Sequence, residues 1–147
     1  MNVKEIMTPD PRTCRASDSI QDAARLMRDC DCGSVPVVDD DNRLVGVITD
    51  RDLAIRAIAE GKSADSPVSE IMTASPFTST EESDVREVGR SMAERQLRRV
   101  PIVDADGRLT GIIAQADLAR AAGSDEGVTE REVAVVVERI SEPAKQA

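Results

Sequence analysis

The sequence predicts an α+β protein: two tandem copies of one strand–helix–strand–strand–helix unit, packed as a pseudo-twofold pair, with an extra helix at the C-terminal end. Three observations carry this reading. Arg43-Leu44-Val45-Gly46-Val47-Ile48-Thr49-Asp50-Arg51-Asp52-Leu53 reads as a strand running into a helix, and it returns 65 residues later as Arg108-Leu109-Thr110-Gly111-Ile112-Ile113-Ala114-Gln115-Ala116-Asp117-Leu118. At that constant offset, about 22 of the 55 residue pairs from Val3 to Ala57 are identical, with no insertion, which marks a tandem duplication. Only two copies exist, so the natural way to bury the shared face is a pair rather than a solenoid.

Each copy opens on a short amphipathic turn, Val3 to Met7 or Val68 to Met72. Pro11 and Pro76 then push the chain into an extended segment through Thr13 and Thr78. A helix follows. In the first copy Ser17 or Asp18 is placed to cap it, and Ile20, Ala23, Ala24 and Met27 share a face. In the second it starts near Asp84, with Val85, Val88 and Met92 inward. The next strand is Val35 to Val38 or Val100 to Val103, and Pro36 and Pro101 near its start suggest an edge position or an irregular strand entry. An acidic turn, Asp39-Asp40-Asp41-Asn42 or Asp104-Ala105-Asp106-Gly107, closes a hairpin onto Leu44 to Ile48 or Leu109 to Ile113. The last helix of each copy should bury Leu53, Ile55, Ala57 and Ile58, or Leu118, Ala121 and Ala122. Thr129-Glu130-Arg131-Glu132 is a capping-box pattern, and Val133, Val136, Val137 and Ile140 stripe the helix it starts; Pro143 and a polar end suggest a frayed tail. The boundaries read from this are repeat one over 1–62, a polar linker over 63–67, repeat two over 68–124, and a C-terminal helix and tail over 125–147.

Composition narrows the function classes. A chain of 147 residues supports a real core. A net charge of −9 disfavours a phosphate-backbone binder, so no nucleic-acid partner is expected. With one Phe and no Trp or Tyr, no base-stacking platform can form. No apolar run reaches the roughly 18 residues that span a bilayer, and Met1-Asn2-Val3-Lys4-Glu5 has no signal core. The expectation is a cytoplasmic protein with no membrane partner. Three cysteines (Cys14, Cys30, Cys32) and no histidine give no four-ligand metal set, and the thiols are expected to be reduced.

Two constellations carry candidate chemistry. Thr49-x-x-Asp52 stands where a helix begins. A helix cap alone would account for it, since Thr caps and an acid suits the first turn. A ligand role would account for it too: Asp52 offers lone pairs to the two hydroxyls of a ribose, and Thr49 with the free helix-start N–H groups would face a phosphate. The second copy keeps Asp117 but has Ala114 in place of the threonine. Arg98 and Arg99 adjoin one another just before a strand in an acidic chain; they are either a solvated turn or a phosphate clamp. The matching residues of the first copy, Gly33 and Ser34, are uncharged, so the copies are not equivalent.

The Ile-Met-Thr opening, the Val-Pro-[Val/Ile]-Val-Asp strand and Gly-[Val/Ile]-Ile-x-x-x-Asp-Leu, each present twice, resemble the CBS-domain pair, or Bateman module, in its small stand-alone bacterial form. The resemblance covers Val3 to about Gly123. It implies a β-α-β-β-α core in each copy, two clefts between the copies, frequent homodimerisation, and an adenosine compound (AMP, ADP, ATP or S-adenosylmethionine) as a regulatory ligand. Carried over, Thr49 and Asp52 would hold ribose and phosphate, and Arg98 and Arg99 would reach the phosphates. Thr13, Val35, Pro36, Val100 and Pro101 would frame adenine, largely through backbone. The second cleft, with Asp117 and Thr78, lacks the threonine and the arginines and should bind phosphate poorly.

No nucleophile–base pair, metal cluster or P-loop is visible, so no catalytic residue, metal or cofactor is assigned. The leading expectation is a non-catalytic adenine-nucleotide sensor acting through packing. The alternative is a ligand-free dimerisation scaffold whose C-terminal helix docks a protein partner.

Overall fold

A computed structural model describes residues 1–122 and 129–143. In chain order its elements are a 3-10 turn (Val3–Glu5), β1 (Thr8–Pro9), α1 (Ile20–Cys30), β2 (Ser34–Val38), β3 (Leu44–Thr49), α2 (Asp50–Asp52) continued by a π-helical stretch (Leu53–Ile58), a 3-10 turn (Val68–Glu70), β4 (Thr73–Ala74), α3 (Val85–Arg95), β5 (Arg99–Val103), β6 (Leu109–Ala114), α4 (Gln115–Ala121) and α5 (Glu130–Ser141). The mixed class and the extra C-terminal helix are as the sequence predicts. The frayed tail expected past Pro143 lies outside the described residues.

The sequence repeats and the compact units divide the chain differently. One unit comprises Asp10–Phe77 and Val103–Leu109; the other comprises Met1–Pro9, Thr78–Ile102 and Thr110–Ala147. Each unit thus takes the opening turn of one repeat and the hairpin of the other. Sheet order shows it directly: β2-β3-β4 in the first unit and β1-β6-β5 in the second. In the first, β4 pairs antiparallel with β3 through Gly46↔Ala74 and Val47↔Thr73. In the second, β1 pairs with β6 through Thr8↔Ile112 and Pro9↔Gly111. Glycine is required on the receiving strand. A Cβ on Gly46 would lie 2.7 Å from Met72 Sδ and 2.9 Å from the Thr73 carbonyl oxygen; one on Gly111 would lie 2.5 Å from Met7 Sδ and 3.0 Å from that of Thr8. The Ile-Met-Thr and Gly-[Val/Ile]-Ile motifs are the two sides of this contact.

In the first unit β2 runs antiparallel to β3 from Ser34↔Thr49 to Val38↔Leu44, with a bulge between Val37 and Val38. β2 is the edge strand of its sheet, as Pro36 foretells. Its free side is lined by Cys14, whose N–H donates to the Pro36 carbonyl and whose carbonyl accepts from Val38 N–H. The core gathers Cys14, Ile20, Ala23, Met27, Val35, Val37, Ile48, Ala57, Val68 and Ile71. The acidic turn takes a left-handed residue in each hairpin, Asn42 at φ 62° and Gly107 at φ 81°. Leu44 N–H donates to the Gly107 carbonyl and Leu109 N–H to that of Asn42, which ties the 103–109 turn into this unit.

Four local expectations are corrected here. The α1 cap is Ser19, whose Oγ accepts from Asp22 N–H, while Asp18 accepts from Arg15 N–H one turn upstream. Ala24 is exposed, because the buried stripe steps from Ala23 to Met27. After α2 the backbone widens to π-type bonding, with Ala59 N–H reaching the Ala54 carbonyl. That register buries Ala57 but turns Ile55 (51% exposed) and Ile58 (77% exposed) to solvent. Finally, Cys30 and Cys32 are disulfide-bonded where reduced thiols are expected; Asp31, left-handed at φ 52°, reverses the chain at the helix end and brings their Cα atoms to 5.3 Å.

In the second unit α3 is capped by Asp84 and buries Val85, Val88, Gly89 and Met92. Leu118 and Ala121 of α4 are buried, whereas Ala122 lies past the helix end and is half-buried. The predicted capping box of α5 is present: Thr129 N–H donates to Glu132 (2.7 Å) and Glu132 N–H to Thr129 Oγ1 (3.1 Å). Val133, Val136 and Ile140 bury against the unit, but Val137 is 38% exposed, so the buried stripe is narrower than expected. Among the described residues no helix is long and apolar enough to cross a membrane.

Candidate functional site

The strand-to-helix corner is built from reciprocal capping. Thr49 sits extended at the end of β3 (φ −118°, ψ 163°), and its Oγ1 accepts from Asp52 N–H at 3.1 Å. Asp52 Oδ2 accepts from Thr49 N–H at 2.9 Å. The cap role weighed from sequence is therefore real. It uses one carboxylate oxygen only. The other, Oδ1, faces the Arg56 guanidinium at 3.8 Å, too long for a hydrogen bond, and the Asp52 side chain keeps 14% of its surface exposed. Arg56 Nη1 itself donates to the Ile71 carbonyl at 2.9 Å. Asp52 thus retains acceptor capacity at a helix start whose own N–H groups are already taken: that of Asp50 by the Gly33 carbonyl, that of Arg51 by the Asp50 carboxylate and that of Asp52 by Thr49 Oγ1.

The second copy is half of this device. Ala114 has the same backbone (φ −120°, ψ 161°) but no side-chain oxygen. Asp117 Oδ2 still accepts from Ala114 N–H at 2.7 Å, and Asp117 Oδ1 is tightly paired with Arg120. Asp117 is only 5% exposed, and both its oxygens are engaged. As a hydroxyl acceptor it is the poorer of the two acids.

Arg98 and Arg99 are both exposed, and among the described residues neither side chain has an ion pair or hydrogen bond. The Arg98 carbonyl accepts from Gln115 N–H at 3.0 Å, so backbone fixes this arginine beside the start of α4. The first copy does the same with Gly33, whose carbonyl accepts from Asp50 N–H at 2.9 Å. A Cβ at 33 would lie 2.9 Å from the Asp50 carboxylate, the end of a side chain that can swing aside.

The framing residues are held by the sheets. Val35 and Val100 are fully buried and Pro36 and Pro101 are buried as well. The carbonyls of Pro36 and Pro101 accept from Cys14 and Ser79 N–H, respectively, at 3.1 Å. Their side chains serve the cores, which leaves the backbone of these strands as the surface they can offer. Thr13 and Thr78, half-buried, stand just before the residues that make those bonds. Burial, with the nearby Asp18 carboxylate, pushes the Cys14 thiol up from about 9 to about 12.

The candidates divide between the units: Thr13, Val35, Pro36, Thr49 and Asp52 belong to the first, and Thr78, Arg98, Arg99, Val100, Pro101 and Asp117 to the second. Sequence reasoning missed Arg56 and the Gln115 side chain, whose Oε1 is buried with no hydrogen-bond partner. Arg56 stands four residues after Asp52, a spacing that signals a helical ion pair. Among the described residues no group of three or more His, Cys, Asp and Glu gathers as a metal site.

The same architecture recurs in known proteins. A family model described as CBS domain matches residues 3–58 and 68–124. The uncharacterized protein YlbB of Bacillus subtilis is 41% identical over 117 residues, covering 79% of this chain and 78% of that protein. CBSX2 of Arabidopsis thaliana, solved in complex with AMP, is 33% identical with a TM-score of 0.75, over 82% of this chain and 94% of that one. The CBS domain pair of protein MJ0100, solved with 5′-methylthioadenosine and S-adenosyl-L-methionine, is 33% identical with a TM-score of 0.76, over 82% of this chain and 98% of that one. With both repeats matched by the family model and these folds superposing on the chain, it belongs to the CBS-domain family, as a pair of CBS domains.

Proposed function

We propose that the chain is a non-catalytic regulatory module that binds an adenosine compound: AMP, ADP, ATP or S-adenosylmethionine. In this reading Asp52 Oδ1 accepts from the ribose hydroxyls, the Thr49 hydroxyl donates to the first phosphate, and Arg98 and Arg99 take the remaining phosphate charge. Adenine lies against the backbone of the Val35-Pro36 and Val100-Pro101 strands, near Thr13. The observation that carries it is asymmetric. Asp52 Oδ1 accepts no hydrogen bond and meets only the Arg56 guanidinium, at 3.8 Å, and Arg98 and Arg99 have no ion pair or hydrogen bond among the described residues, while Asp117 Oδ1 is hydrogen-bonded to Arg120. Adenosine compounds bound by the structural relatives support the ligand class. The ligand signals by biasing the packing of the repeats, which requires different affinities for the two arrangements.

Dye-monitored melting tests this. At a ligand concentration 100-fold above Kd the folded state gains about 2.7 kcal/mol, equivalent to a rise of roughly 5–10 °C for a chain of this size. Absence of any shift with all four compounds at millimolar concentration contradicts the proposal.

One observation favours a second reading, the dimerisation scaffold. Ile55 and Ile58 project from the first unit without cover, whereas α5 covers the corresponding helices of the second. In this reading that face seats a second copy of the chain. Ile58→Glu should then convert a dimer to a monomer in sedimentation, with melting unchanged by nucleotide.

A further inference from the structure

α3 and α5 of the second unit enclose a groove of about 250 Å³ with an apolar floor and a cationic rim. Gly89, Ala93, Val135 and Val136 form the floor, and Arg86, Arg90 and Arg131 stand around it. None of these residues belongs to the candidate nucleotide site. Gly89 opens the groove: the nearest atoms to a Cβ there would be Val136 Cγ2 at 3.7 Å and Leu118 Cδ1 at 3.8 Å, so the position is small by choice rather than by clash. Val135, which faces the groove, is 49% exposed. Glu132, the acid of the groove, is already committed: it caps α5 through Thr129 N–H and pairs with Arg86 Nε at 3.4 Å. Arg90 and Arg131 have no ion pair or hydrogen bond among the described residues. In a chain whose 28 carboxylates outnumber its 19 lysines and arginines, two guanidinium groups without an ion pair or hydrogen bond among the described residues, Arg131 and an Arg90 that reaches Glu132 only through its longer-range field, are unexpected beside one apolar groove of a merely solvated helix pair.

We infer that this groove binds a small amphiphilic anion, a carboxylate on an unbranched hydrocarbon chain, with the head on Arg90 and Arg131 and the tail over Gly89, Ala93 and Val135. Guanidinium forks suit a carboxylate, and the exposed valine gains by being covered. Size agrees. At about 30 Å³ per water-sized volume the groove takes roughly eight non-hydrogen atoms, the head and most of the tail of an eight-carbon carboxylate. Octanoate is the probe of choice.

The test is octanoate titration into the full chain, followed by calorimetry and by backbone amide shifts. Saturable binding is expected, with the largest shifts at Gly89, Val135 and Val136, weakened at least about tenfold by the Arg90→Ala/Arg131→Ala double variant. Arg25→Ala removes the first-repeat counterpart of Arg90 and should leave binding unchanged. Asp52→Asn should also leave it unchanged, which separates this groove from the nucleotide site. Three results overturn the inference: no saturable binding, equal weakening by Arg25→Ala, or octanol binding as tightly as octanoate.

Discussion

Gly46→Ala tests the strand exchange that defines both units. The residue has no left-handed φ, so alanine carries no backbone penalty there, and the whole effect is steric. The new methyl group would sit 2.7 Å from Met72 Sδ and 2.9 Å from the Thr73 carbonyl oxygen. Met72 can swing its thioether aside. Thr73 cannot, because it is one of the two residues of β4 and its neighbours pair with β3. Overpacking of this kind costs about 1–3 kcal/mol; with backbone on the far side, about 2 kcal/mol is expected, or a melting point lower by roughly 4–8 °C for a chain of this length. Urea denaturation gives the free energy, and amide exchange at Ser75, which donates to the Val45 carbonyl at 3.3 Å, shows whether β4 has come away. Gly89→Ala is the matched control. Its Cβ finds only ordinary contacts, and alanine in a helix interior gains about 0.5–1 kcal/mol over glycine. A Gly46→Ala protein within about 0.5 kcal/mol of the parent would refute the close-approach argument.

Three further outcomes follow from the same structure. Thr49→Ala should lose about 1 kcal/mol by removing the α2 cap, and Ala114→Thr should gain a similar amount, since Ala114 already has the capped backbone and Asp117 already makes the reciprocal bond; chemical denaturation of both variants measures it. Cys14, with its thiol raised to about 12, stays protonated when folded, so its contribution is intact below about pH 9 and is lost as pH rises from there toward 12; native alkylation at pH 8 should be slow, and stability should fall less steeply across that window in Cys14→Ala. The Glu132 carboxyl is held below its ordinary range, first by the Thr129 N–H and then by the Thr129 hydroxyl, with Arg86 and Arg90 adding to it. Its lowered value places the cap's contribution above the unfolded carboxyl range, to be lost on acidification, so α5 amides should exchange faster as pH falls through and below the ordinary carboxylate range, and Glu132→Gln should flatten that dependence.

Much of this fold was legible because its signals are local. Both hairpins, the α3 face of Val85, Val88 and Met92 and the α5 capping box follow from periodicity, turn residues and cap chemistry. The strand exchange was not. β1 and β4 are two residues long and carry no alternation, so only the clash geometry at Gly46 and Gly111 reveals what Ile-Met-Thr does. Ser17, Asp18 and Ser19 are three consecutive capping types, and choosing among them depends on where Ile20 meets the core. Ile55 and Ile58 read as buried under an α-helical period, which the π-type stretch does not keep. At the site, the Thr49–Asp52 pair reads as a cap or as a ligand holder. The structure makes the cap explicit on Oδ2 and turns Oδ1 toward Arg56, a division between two oxygens of one carboxylate that no sequence pattern encodes.

The most direct measurement is calorimetric titration of AMP, ATP and S-adenosylmethionine into the purified chain, alongside Asp52→Asn and the Arg98→Ala/Arg99→Ala double variant. Asparagine keeps an oxygen for Thr49 N–H and removes the charge, so the corner stays capped while the ribose acceptor weakens. The account expects about one ligand per chain, markedly weaker binding in Asp52→Asn, and a loss in the arginine variant that grows with the number of phosphates. Saturable binding untouched by either variant would contradict the residue assignment, and no heat from any of the three ligands would contradict the sensor itself.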